Sequence, residues 1–154
     1  MATDDDAALE LAQRALGRRE RSSAELRSWL AARGIAEDEA DAVIAHLEGV
    51  GQLDDARFAR RYAEDKRELA GWGAERIREA LLARGVAPEH IEAAVATDGP
   101  AEQRERAVEL LVRRAEPLDE ERTRARALGY LTRKGYSYEV AHDAIRAFER
   151  ESAR

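Results

Sequence analysis

The stretch Leu81-Leu82-Ala83-Arg84-Gly85-Val86 decides the fold of this chain, because its pattern occurs three times. Leu30-Ala31-Ala32-Arg33-Gly34-Ile35 lies 51 residues before it, and Leu131-Thr132-Arg133-Lys134-Gly135-Tyr136 lies 50 residues after it. In each copy a leucine, a basic residue, a glycine and an apolar residue keep the same order. Glycine enters the left-handed backbone region without steric penalty, so it ends a helix, and the apolar residue after it folds back onto the last turn. Ten residues beyond the glycines stand Ile44, Val95 and Ile145, and twenty-three before them stand Leu11, Tyr62 and Val112. Each unit therefore reads helix, helix, glycine stop, helix. The leucine before the stop and the aliphatic residue after it are expected to meet in the unit's core.

Working outward, the same punctuation predicts nine helices and no strand, since no window alternates with a period of two. The first runs from near Asp4, with Leu9, Leu11, Ala12 and Leu16 on one side, and ends at Arg18 to Arg21. Ser22-Ser23-Ala24-Glu25 is a capping-box pattern opening the second, which carries Leu26, Trp29 and Leu30. The third spans about Ala36 to Leu47. Asp54-Asp55 opens a fourth helix through Phe58, Tyr62 and Leu69, which Gly71-Trp72-Gly73 interrupts. The fifth holds Ile77, Leu81 and Leu82, and the sixth starts at Pro88 and holds Ile91 and Val95. After Gly99-Pro100, the seventh holds Val108, Leu111 and Val112. The eighth holds Leu128 and Leu131, and the ninth, capped by Ser137, holds Val140, Ile145 and Phe148. The expected fold is all-α: three tandem three-helix repeats, at residues 4–52, 53–99 and 100–150, in an elongated, curved array where each unit touches its neighbours.

Composition narrows the function classes. With no cysteine among 154 residues, disulfides, thiolate metal sites and a cysteine nucleophile are excluded, in keeping with a reducing cytosol. No apolar run is long enough to span a membrane, and Asp4-Asp5-Asp6 is acidic where a signal peptide would be basic, so a cytoplasmic location is expected. The net charge of -6 argues against indiscriminate binding to naked nucleic acid. That charge is segregated, however: residues 13–34 hold six arginines against two glutamates, whereas residues 35–56 hold seven carboxylates and no lysine or arginine. A dipolar surface of this kind steers docking onto a charged partner.

Asp54 and Asp55 do not read as a catalytic or magnesium pair, because adjacent side chains on a helix diverge and a helix start already accounts for them. His46, His90 and His142 occupy unrelated places relative to their glycines and lack ligand spacing. Gly71-Trp72-Gly73 has neither the third glycine nor the preceding strand of a dinucleotide loop. No nucleophile, base and orienting group occur together, so no catalysis, metal or cofactor is expected. Pairs such as Glu120 with Arg124 read as ordinary solvated helix faces, and Trp29, Tyr62, Tyr130 and Phe148 read as core. Arg14, Arg18, Arg19 and Arg21, with Arg57 and Arg61 interleaved among Phe58 and Tyr62, are the candidate partner contacts. Trp72, between its two glycines, is a candidate anchor for the same partner, and Tyr138 also falls off the apolar stripes.

Gly51-x-Leu53-Asp54-Asp55-x-x-Phe58-Ala59, followed by Gly73-x-x-x-Ile77-x-x-x-Leu81-x-x-x-Gly85-Val86, resembles the RecX family of bacterial regulators of the RecA recombinase. Arg21-Ser22-Ser23-x-Glu25-Leu26-x-x-x-Leu30-x-x-x-Gly34 is similar to the family's first repeat, and Leu131-x-x-Lys134-Gly135-Tyr136 to its third. Leu53, Asp54, Asp55 and Phe58 form the most specific segment, with Gly34, Gly85 and Gly135 as the structural stops. The resemblance spans roughly residues 8–150. It implies a monomeric, non-enzymatic protein that binds RecA assembled on single-stranded DNA, along the groove of the filament. It further implies restraint of filament growth, ATP hydrolysis, strand exchange and repressor self-cleavage, and so a place in DNA repair, homologous recombination and the SOS response. A free-standing helical nucleic-acid binder acting without RecA, or with weak direct DNA contact, is the alternative expectation, since a three-helix unit with a tight turn can present a helix to a groove.

Overall fold

A computed structural model describes residues 3–154 of the chain. Among them are nine α-helices and no strand: α1 (Thr3–Arg18), α2 (Ser23–Ala32), α3 (Glu37–Gly49), α4 (Asp55–Ala70), α5 (Ala74–Ala83), α6 (Pro88–Val95), α7 (Pro100–Arg114), α8 (Glu121–Lys134) and α9 (Tyr138–Ser152). The helix starts are where polar side chains can replace the missing intrahelical acceptors. Ser22 Oγ accepts from the Glu25 N–H while Glu25 reaches back to the Ser22 N–H, completing the capping box. Asp54 caps α4 by accepting from the Arg57 N–H, and Ser137 caps α9 by accepting from the Val140 N–H.

The three glycine turns share one hydrogen-bond pattern. Gly34, Gly85 and Gly135 have φ of +82°, +79° and +107°. The N–H of the next residue donates to the carbonyl five residues back: Ile35 to Leu30, Val86 to Leu81 and Tyr136 to Leu131, at 3.1–3.2 Å. This double-bonded C-terminal turn needs a left-handed residue and buries the apolar residue behind it. Leu30, Leu81 and Leu131 are all fully buried, and Ile44, Val95 and Ile145 share their respective cores.

Three hydrophobic clusters result, one per unit. The first gathers Ala8, Ala12, Leu26, Leu30, Ile44 and Leu53 among others; the second centres on Phe58, Ile77, Leu81 and Ile91; the third on Leu111, Leu131, Tyr136 and Ile145. Leu53, just before the cap of α4, thus belongs to the first core. Within each unit the third helix packs against the other two.

Several apolar positions depart from expectation. α1 buries an alanine stripe of Ala8, Ala12 and Ala15, with Leu9, Leu11 and Leu16 only flanking it. Small residues at this spacing let the helix axis approach its neighbours closely, so the leucines splay to the edges. Leu69, Leu82 and Val112, expected on apolar stripes, are 84%, 62% and 56% exposed. Val112 fails for an identifiable reason. The α7–α8 connection is longer than α1–α2 or α4–α5, and α8 is longer than α2 or α5, so counting twenty-three back from Gly135 falls short of the equivalent position, and Leu111 and Leu110 take the buried places. Arg124 does not pair along its own helix with Glu120 but crosses to Glu149 on α9 at 2.6 Å.

The units dock through equivalent elements. Ser22, the cap of α2, donates from Oγ to the Arg84 carbonyl at 2.6 Å, and Gly73, the cap of α5, donates its N–H to the Lys134 carbonyl at 2.9 Å. In both cases the start of a middle helix sits on the glycine turn of the next unit. A side chain at Gly85 would overlap the Ala24 Cβ, and one at Gly135 would overlap the Arg76 Cβ and backbone.

The second junction carries an additional buried polar cluster. Asp98, 5% exposed at its side chain, holds the Arg106 guanidinium through both carboxylate oxygens and lies 3.4 Å from Arg67 Nε. Arg67 Nε is buried without a well-aligned acceptor, while its terminal nitrogens donate to Thr97 Oγ1 and the Ala94 carbonyl. Desolvation lowers the Arg67 pKa. Burial would lower that of Arg106 too, but its hydrogen bonds to Asp98 and the neighbouring charges outweigh burial and raise the value. Gln103 accepts from the Ala74 N–H, and Tyr136 donates its hydroxyl to the Gly71 carbonyl at 2.7 Å.

Candidate partner-binding surface

The first junction builds a groove rich in cations and aromatic rings. Asp55, the first residue of α4, accepts from both the Ser23 N–H (2.8 Å) and the Ser23 hydroxyl (2.6 Å), so it clamps the start of α2 from the neighbouring unit. This clamp aligns α4 beside the α1–α2 connection. Two adjoining depressions of about 440 and 420 Å³ open there, with Arg19 and Arg84 lining both. Trp29 walls the first; Phe58, Tyr62, Lys66 and the exposed Leu69 wall the second.

The rings and cations are mutually stacked. Arg84 lies 4.8 Å from the Tyr62 centroid and 5.8 Å from that of Phe58; Lys66 lies 4.8 Å from Trp72, whose other near cation is Arg76 at 4.2 Å. Phe58, Tyr62 and Trp72 form a continuous aromatic row, with centroids 6.1 and 6.4 Å apart. Cation–π contacts at such half-exposed sites contribute about 0.5–1 kcal/mol each. They also hold long cationic side chains in place, which lowers the entropy cost of presenting them to a partner. Tyr, Trp and Arg, three of the residue types gathered here, are those enriched in protein-binding hot spots.

The candidate residues are distributed unevenly around this groove. Arg19 lines it and lies 3.7 Å from Glu25; Arg21 borders it, donating to the Ala15 carbonyl and lying 5.6 Å from the Trp29 ring centre. Burial, followed by the nearby charge of Arg19, lowers the Arg21 pKa. Arg61 is engaged by Glu20 at 2.6 Å, and Arg57 donates to the Gly51 carbonyl at 3.1 Å, so both brace the junction. Arg14 and Arg18 are exposed on α1 and do not line the groove. Trp72 is half-buried against the second core, and Tyr138 is exposed with its ring against His142. Arg84 and Lys66 were absent from the sequence-based candidates. Arg84 had a signal, since it is the basic residue of the repeated stretch; Lys66 had none, and Leu69 read as part of the apolar stripe of α4 but is exposed.

Asp54 keeps to its cap, and the hydrogen bond from the Arg57 backbone holds its carboxylate below the usual range. Among the described residues no group of histidines and carboxylates is arranged to hold a metal ion, and no helix is long and apolar enough to cross a membrane.

Known proteins share both the sequence pattern and the architecture. The family description "RecX, first three-helix domain" fits residues 8–47, and "RecX, second three-helix domain" fits residues 54–95. The regulatory protein RecX of Mycobacterium avium (strain 104) is 36% identical over 148 residues, spanning 93% of this chain and 85% of that one. The regulatory protein RecX of Thermus thermophilus is 37% identical over 144 residues, spanning 94% of each. The crystal structure of RecX from Lactobacillus salivarius matches with a TM-score of 0.87 at 23% identity, over 97% of this chain and 99% of that one, a likeness of fold.

Proposed function

The chain belongs to the RecX family, a family of regulatory proteins and not of enzymes, and from that premise we propose that it regulates the RecA recombinase. In this reading it acts as a cytoplasmic monomer that binds the RecA filament on single-stranded DNA and restrains filament growth, ATP hydrolysis and strand exchange, and through them DNA repair, homologous recombination and the SOS response. Family membership carries the reading. The groove at the first junction supports it locally, because it offers a protein partner stacked cations, an aromatic row and the exposed Leu69. Arg19 and Arg21 at its rim, with Arg14, Arg18, Arg57, Arg61 and Trp72 around it, are the proposed contacts for a negatively charged nucleoprotein.

The measurement is RecA ATP hydrolysis on single-stranded DNA with substoichiometric amounts of the chain. Hydrolysis and mean filament length should both fall; no change in either would sink the proposal. A second reading, direct nucleic-acid binding without RecA, draws on the cations stacked on rings at one position in each unit: Arg33 on Trp29, Arg84 on Tyr62 and Lys134 near Tyr130. It requires a mobility shift with DNA alone whose affinity drops steeply with salt. Absence of that shift at physiological salt eliminates it.

A further inference from the structure

We infer that the glycine turn of the first unit, Arg33-Gly34-Ile35, is a docking site for the N-terminus of a helix on the partner protein. The molecule already shows what such a turn binds. In the second unit the turn receives Ser22 on the Arg84 carbonyl, Ala24 against Gly85, and Glu25 within 3.7 Å of the Arg84 guanidinium. In the third unit it receives the Gly73 N–H on the Lys134 carbonyl and the Glu75 N–H on the Gly135 carbonyl. The first turn has the same backbone, with φ of +82° at Gly34 and the same pair of closing hydrogen bonds. Its docking features are unoccupied among the described residues. A side chain added at Gly34 meets nothing within 4 Å, and among the described residues the Arg33 and Gly34 carbonyls accept no hydrogen bond. Arg33, the counterpart of Arg84, is parked over the Trp29 ring at 3.5 Å, and the flanking Ala31, Ala32 and Ala36 are exposed and small.

The occupant follows from these features. It is a helix start with serine, threonine or glycine at the cap, a small residue in the first turn, and a carboxylate at the third helical position to meet Arg33. A partner of that kind completes the array as a preceding unit would. The other end of the chain is built differently. α2 and α5 each begin eleven residues before their glycine, whereas α8 begins fourteen before Gly135. Thr123, the counterpart of Ser22 and Gly73, therefore lies inside α8, where its hydroxyl donates to the Glu120 carbonyl and accepts from the Glu120 N–H. That end is closed on itself, so a second copy has no equivalent helix start to offer there. Assigning the partner helix to a RecA subunit rests on the function proposed above.

The test uses the full chain and RecA filaments on single-stranded DNA. Gly34→Asn keeps a residue that tolerates the left-handed region while placing a side chain in the docking path, and Arg33→Glu reverses the cation at an exposed position. Both should melt near the wild-type temperature and bind the filament about thirtyfold more weakly, the scale of a hot-spot contact, while Glu48→Gln on the far end of α3 binds normally. Amide exchange at residues 33–36 should slow on the filament. Wild-type affinity in both variants, with unchanged exchange at the turn, overturns the docking site and leaves the RecA reading standing. Failure of the wild-type chain to bind overturns both. Self-association of the chain alone that Gly34→Asn abolishes would assign the turn to a second copy and refute the partner helix.

Discussion

The two junctions between units use the same docking geometry and different chemistry. At the first, the contacts are hydroxyl and carboxylate side chains: Ser22 on Arg84, Ser23 on Asp55, and the solvent-accessible pairs Arg61–Glu20 and Arg84–Glu25. At the second, backbone groups of Gly73, Glu75, Lys134 and Gly135 bond directly, and a buried cluster of Asp98, Arg67, Arg106 and Tyr136 lies behind them. Exposed ion pairs contribute about 0–1 kcal/mol and weaken with salt. Buried, hydrogen-bonded charges are screened little, and removing one partner is costly because it strands the other. The second and third units should therefore behave as a tightly joined pair, with the first attached more loosely and bearing the open groove at its seam.

The sharpest way to break this comparison is Asp98→Ala. It leaves two largely buried guanidinium groups without their counter-charge and should cost about 3–5 kcal/mol by urea denaturation. A loss no larger than that of a surface pair would show that the second junction is not held by its buried cluster. Next in size is the valine series at the three stops. All three positions share the left-handed strain, roughly 1–2 kcal/mol. Gly135→Val also drives a side chain into the Arg76 backbone, Gly85→Val meets the Ala24 methyl, and Gly34→Val meets open space. Melting temperatures should fall in that order, Gly135 most and Gly34 least, and equal losses would mean that the turns do not dock as described.

A smaller effect concerns alkaline pH. Burial pushes the Tyr136 phenol up to about 12, above its ordinary value of 10.0. The folded state holds that proton more tightly than the unfolded chain, so the contribution is fully present below pH 10 and is lost as pH rises from about 10 to 12. Tyr136→Phe should flatten this part of the stability profile; an unchanged profile would place the titration elsewhere. The smallest effect is expected for Glu20→Gln, which removes the pair with Arg61 and should change stability by less than about 1 kcal/mol, diminishing further in high salt. A loss rivalling that of Asp98→Ala would erase the distinction between the junctions.

Much of the fold was legible because its determinants are local. A glycine after a basic residue, a cap such as Ser22 or Ser137, and proline at the start of α6 or α7 act within a few residues of themselves. The site was less legible. Asp55 looked like a helix-start carboxylate and nothing more, yet its two oxygens bridge to Ser23 thirty-two residues away. Asp98 and Gln103, on either side of Gly99-Pro100, drew no reading from the sequence and are buried hubs of the second junction. Arg57 and Arg61 carried no signal of the contacts they make at the seam, with the Gly51 carbonyl and with Glu20.

The sequence alone determined the number of units, the stops of their middle helices and the leucine and aliphatic residue that meet in each core, because glycine conformation, capping and helical periodicity depend on neighbours along the chain. Only the tertiary structure decided how the units join, which arginines are engaged and which are presented, and that Leu69 faces solvent beside an aromatic row. Those outcomes depend on which carbonyl one unit turns toward the next, and residues separated by fifty positions share no local signal that could announce it.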